Sequence, residues 1–119
     1  MMNSLEMAHE IVKILDAKKA VNIRALQTGG VTSVADYFVI CTANSTTHIK
    51  TLSDEIQKIM EEKGENALHV EGYRAGGWVL VDYGCVVVHL FLKEIREFYS
   101  LERLWGDAPE LDISGLITE

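Results

Sequence analysis

The sequence is poor in everything that staples, links or anchors a chain. Of its 119 residues two are cysteine and one is proline, and no uncharged apolar run approaches the ~20 residues of a membrane span. Cys41 and Cys85 each sit inside an apolar segment, without Cys-x-x-Cys or Cys/His spacing, so neither a metal site nor a disulfide framework is expected. Both read as small core residues. Bases are also scarce: 11 Lys and Arg stand against 18 Asp and Glu, a net charge of −7. That balance disfavours nucleic acid as the main source of affinity and favours a basic partner. The start, Met1 to Glu6, has no basic region ahead of an apolar one, so no signal peptide is expected and the chain reads as cytoplasmic. No internal repeat, linker or low-complexity stretch is visible.

What is present is a core. At 48% hydrophobic the chain is too apolar to be disordered, and its length suits one domain that buries enough surface to fold unaided. Leu5, Ala8, Ile11, Val12 and Leu15 recur at helical spacing behind Asn3 and Ser4, predicting a helix over 4–18. Val21 to Leu26 reads as a strand closed by a turn at Gly29-Gly30. Tyr37 to Cys41 is continuously apolar and predicts a central strand covered on both faces. A second helix follows the caps in 43–47, carries Ile49, Leu52, Ile56, Ile59 and Met60 on one face, and stops at Gly64. Leu68 to Glu71 is a brief strand. Trp78 to Asp82, the turn Tyr83-Gly84, and Cys85 to Phe91 predict a hairpin. Lys93 to Trp105 is the last helical pattern, with Ser100 as a break and Gly106 as a stop. Residues 107–119, with four acids and no base, read as an acidic surface tail. The order predicts a single α/β domain, residues 1–106, with a mixed sheet of about five strands flanked by helices.

Catalytic patterns are missing. His9, His48, His69 and His89 fall on four different elements with no nucleophile motif nearby. His89, in an alternating apolar strand, reads as a structural histidine; His9 and His48 read as solvent-facing. The glycine pairs 29–30 and 76–77 belong to no phosphate-binding motif. Asp36 and Asp82 are the only carboxylates placed like metal ligands, which leaves a divergent metal-dependent nucleotidyltransferase as a rival reading. Asp36 more simply caps a turn, and Asp82 shapes the hairpin. An interaction surface remains. Alternation along 78–82 puts Val79 and Val81 on one side and Trp78, Leu80 and Asp82 on the other. Trp78 and Tyr83 are either core plugs or interface anchors; Trp105 reads as core.

The stretches Gly77-Trp78-Val79-Leu80-Val81-Asp82-Tyr83-Gly84, Val86-Val87-Val88-His89-Leu90-Phe91 and Arg96-Glu97-Phe98-Tyr99-Ser100-Leu101-Glu102-Arg103-Leu104-Trp105 closely resemble the ribosomal silencing factor, or Iojap-related, family. Ser33 to Thr42, Asn44-Ser45 and Val70-Glu71-Gly72 match its pattern in the same order, so the resemblance spans nearly the whole chain. It implies a fold similar to nucleotidyltransferases without their catalytic carboxylates, and hence no enzyme and no cofactor. It also implies binding to the large ribosomal subunit through ribosomal protein fourteen, a basic protein, with steric block of subunit joining and repressed translation under nutrient limitation. A role in large-subunit assembly is the alternative, and homodimers occur among members. By that resemblance Trp78, Asp82, Tyr83 and Gly84 face the partner. Cys85 departs from the family's usual acidic residue, which bears on one polar contact or the turn geometry.

Overall fold

A computed structural model describes residues 2–29, 35–99, 103 and 108–117. Helix α1 spans Ser4–Ala17, and its first turn is closed by a reciprocal cap. The Asn3 carboxamide oxygen accepts from the Glu6 amide while the Glu6 carboxylate accepts from the Asn3 amide. Strands β1 (Val21–Gln27) and β2 (Tyr37–Ala43) follow, then α2 (Thr46–Glu62), whose cap is the Ser45 hydroxyl accepting from the His48 amide. Gly64, at φ +85°, ends that helix as the spacing predicts. Strands β3 (His69–Glu71), β4 (Trp78–Asp82) and β5 (Val86–Leu92) lead into α3 (Lys93–Tyr99).

The five strands form one mixed sheet in the order β1-β2-β5-β4-β3. The β2 and β5 pair is parallel and the other pairs are antiparallel. The middle of the sheet is therefore β5. β2, expected as central, is interior but one place off centre, because the crossover through α2 and the returning hairpin set β5 beside it. One sheet face packs Val39, Cys41, Val79, Val81, Val88 and Leu90 against the buried sides of α1 and α2. The other face carries Leu26, Phe38, Ile40, Val87 and Phe91, with Trp78, Leu80 and Ile95 at its partly open margin.

Of the acidic stretch 107–119, residues 108–117 are described; most stay at the surface, and 109–111 are pinned against β1. Glu110 bridges Leu26, the Leu111 amide donates to the Ala25 carbonyl, and Ala108 and Ile113 are buried. A strand edge with unmet backbone groups captures it. The expectations at Gly30, Ser100, Trp105 and Gly106 lie outside the described residues, as do the end of the last helix and Ser33-Val34.

Candidate functional site, an aromatic sheet face beside the hairpin

The β4–β5 hairpin is built by its turn. The Tyr83 amide donates to the Val86 carbonyl, which leaves Gly84 and Cys85 as the two loop residues, with Gly84 at φ +85°. The Asp82 carboxylate accepts from the Gly84 amide at 2.7 Å, so the acid shapes the turn as its position suggests. The Cys85 carbonyl accepts from the Asp36 and Tyr37 amides, locking the turn to the start of β2. The Cys85 thiol lies 3.9 Å from the Met7 thioether, against α1, and desolvation there raises its pKa. The family departure at this position is thus turned away from Trp78. Cys41 is fully buried, which pushes its thiol up to about 12.

Trp78 is half-buried on the open face and organises an aromatic group. Its ring lies 4.9 Å from Phe91 and 4.8 Å from Tyr99, and Tyr99 meets Phe98 edge-on at 5.1 Å. Phe98 is 79% exposed and Tyr99 52%, so this cluster continues from the sheet onto open surface. Beneath it the Trp78 indole N–H donates to His89 Nδ1 at 3.2 Å, and the His89 ring sits 5.0 Å from Phe38. Because Nδ1 accepts, the neutral ring carries its proton on Nε2, a buried nitrogen without a hydrogen-bond partner among the described residues. Burial drives the His89 pKa down to about 4, against the raising pull of Asp82. Residue spacing alone suggested a structural histidine; what it missed is the bond that orients the tryptophan.

The four residues expected at the partner surface do not share one face. Trp78 and Asp82 lie on the open side, whereas Tyr83 is only 8% exposed and belongs to the core beneath α1 and α2. Burial, with a smaller contribution from Glu65, raises its phenol to about 12. Gly84 supplies the turn. His48 differs from the solvent-facing expectation. Its Nδ1 accepts from the Asn44 amide, so Nε2–H donates to the Lys18 carbonyl and ties the end of α1 to the start of α2. Asp36 and Asp82 come to the same end of the sheet on opposite sides of β5, and among the described residues no group of three or more His, Cys, Asp or Glu could hold a metal ion. No described helix is long and apolar enough to cross a membrane.

These features define a class first: a small mixed-sheet α/β domain whose distinctive surface is an aromatic, partly open sheet face. Over residues 1–119 the chain matches the family described as ribosomal silencing factor during starvation, and it belongs to that family. It is 40% identical over 117 residues, 98% of this chain and 100% of the relative, to the ribosomal silencing factor of Halalkalibacterium halodurans. To the Bacillus subtilis ribosomal silencing factor it is 46% identical, with 82% of this chain and 83% of the relative covered. A mouse protein named for mitochondrial assembly of the large ribosomal subunit is 34% identical over 80% of this chain, which spans 43% of that longer protein. A crystal structure of a Chromobacterium violaceum protein superposes with a TM-score of 0.86 at 34% identity, covering 88% of each chain.

Proposed function

We propose that this protein represses translation in the cytoplasm by steric occlusion, with no chemical step and no cofactor. It docks on the large ribosomal subunit through ribosomal protein fourteen of that subunit and blocks joining of the small subunit when nutrients are scarce. The observation that carries the reading is the aromatic face of Trp78, Tyr99 and Phe98, apolar rings left partly open on a sheet face with Glu71 beside Trp78 and Asp82 at the far end of β4. Exposed aromatic anchors flanked by acid suit a basic protein surface. Trp78 and Asp82 meet the partner in this reading, and Tyr83 and Gly84 hold the hairpin that presents them. Competing with subunit association requires roughly micromolar affinity, about −8 kcal/mol, which an interface of ordinary size supplies.

The test is co-sedimentation with isolated large subunits, small subunits and joined ribosomes, beside a Trp78→Ala variant verified as folded. The expected result is binding confined to free large subunits, fewer joined ribosomes, and a loss of at least ~2 kcal/mol on substitution. An unchanged affinity in the folded variant would remove the hairpin from the interface. The sedimentation rate of the free protein reports the homodimer that belongs to the same reading. A second reading, assistance to large-subunit assembly, is favoured by the name of the mouse relative. It uses the same surface and differs in outcome, since deletion of the protein then accumulates large-subunit precursors.

A further inference from the structure

On the side of α3 away from Trp78 a cleft of about 570 Å³ opens between the start of β1 and the helix. Its described lining includes Arg24, Lys93, Arg96 and Arg103 with Glu97 as the one acid. Four of the chain's 11 bases thus line one depression with Glu97, and with Glu110 paired to Arg24 the balance there is still basic, against the sign of the whole molecule. The cleft exists because β1 is irregular. Its register against β2 shifts between Val21 and Arg24, and Asn22 takes φ +51°. The Asn22 carbonyl accepts from Arg96 Nη1 at 2.7 Å, and the same nitrogen donates to Thr42 Oγ1 at 2.8 Å. This holds a 9%-exposed guanidinium in the cleft wall.

Arg24 is held likewise by Glu110, at 2.7 Å. Lys93 and Arg103 stand exposed, and neither is in an ion pair among the described residues. The fold therefore supplies two anchored guanidiniums and two exposed cations around one hollow, an arrangement suited to phosphate oxygens.

We propose that the cleft lined by Arg24, Lys93, Arg96 and Arg103 binds backbone phosphates of the large subunit's RNA, as a second contact beside the aromatic face. The inference rests on the ribosomal reading above. α3 carries Phe98 and Tyr99 as well as Lys93 and Arg96, so a subunit engaged by the rings is brought alongside the cleft. RNA is favoured over a second protein contact because an open basic trench suits a repeating line of phosphates, while the apolar anchors lie elsewhere.

The decisive variant is the double substitution Lys93→Gln with Arg103→Gln, which spares the anchored Arg24 and Arg96. Its affinity for isolated large subunits is measured against salt, beside the wild type and Trp78→Ala, and each is also tested on purified ribosomal protein fourteen. The expected result is about tenfold weaker subunit binding at moderate salt, with a log–log salt slope shallower by about 1.5. Affinity for the isolated protein should not change. An unchanged subunit affinity and slope would overturn the RNA site, whatever Trp78→Ala does. Equal losses on the subunit and the isolated protein would turn the cleft into a protein contact and overturn it as well. Loss in the double variant with a normal Trp78→Ala would instead sink the hairpin reading and leave the phosphate site standing. Wild-type protein that fails to bind large subunits overturns both. Titration with pyrophosphate separates the other source of the same chemistry: saturable NMR shifts at Lys93 and Arg103, with an unaltered subunit salt slope, would assign the cleft to a free phosphate-bearing ligand.

Discussion

At the scale of single residues, Trp78 and His89 specify each other. The indole N–H needs an acceptor, and only the neutral His89 tautomer with a bare Nδ1 provides one. Protonating the ring would put a second N–H where the indole hydrogen points, inside an aromatic surround. Burial, which penalises the charged ring, lowers its pKa to about 4 from the ordinary 6.5 against the raising pull of Asp82. The depressed value makes stability depend on pH with a definite sign. Above pH 6.5 both folded and unfolded chains carry a neutral ring, so the contribution is complete. Between 6.5 and 4 the unfolded chain takes up the proton first and stability falls, by about 3 kcal/mol in total. Below 4 this group adds no further loss. Urea denaturation at pH 7, 5.5 and 4 should show that decline in the wild type, and a His89→Gln variant should lack most of it. Equal declines in both chains would place the pH sensitivity elsewhere. Tyr83 shows how much was legible here. The alternation that puts Val79 and Val81 in the core, carried two residues further, puts Tyr83 there too. Its proximity to the turn obscured that, because turn residues ordinarily face water.

At the scale of elements, the hairpin depends on two glycines for different reasons. Gly84 sits at φ +85° in the turn, and an added Cβ would lie 3.2 Å from the Leu68 side chain, an exposed methyl that can move aside. Gly72, at φ +79°, ends β3 where its missing Cβ would collide with the Trp78 backbone carbonyl, which cannot move without breaking the hairpin. Gly84→Ala should therefore cost about 1 to 2 kcal/mol, and Gly72→Ala several, with loss of the β3–β4 pairing. Chemical denaturation ranks the two; equal costs would mean that backbone strain alone, not the close approach, governs Gly72. Helices α1 and α2 were readable from periodicity and caps, and the hairpin from its branched strands and turn. Other features rest on partners distant in sequence and leave no local pattern. The β1 bulge is shaped around Arg96, and the 108–117 segment is held by single backbone contacts to β1. His48 belongs with them, since the Lys18 carbonyl that fixes it comes from another helix.

At the scale of the whole molecule, charge is distributed rather than merely summed. The total of −7 was legible from composition, but the basic cleft was not, because its cations come from positions 24, 93, 96 and 103 and meet only when α3 folds back on β1. The open aromatic face is bordered by acid instead, with Asp82 at one end of β4 and Glu71 beside Trp78 at the other. A basic protein approaching that face is drawn by the net field before any ring contact forms. Steering of this kind acts on the association rate and is screened within a Debye length. The on-rate for purified ribosomal protein fourteen should therefore fall about tenfold between roughly 20 and 300 mM salt, while the off-rate changes little. Glu71→Gln with Asp82→Asn should lower the low-salt on-rate about twofold to fivefold, because the new carboxamide oxygen can still accept from the Gly84 amide and preserve the turn while the charge is gone. Trp78→Ala should act in the opposite way, raising the off-rate and leaving the salt dependence intact. Stopped-flow association and dissociation at several salt concentrations separate the two. A salt-insensitive on-rate would mean that the acidic border does not face the partner, and that the rings alone find it.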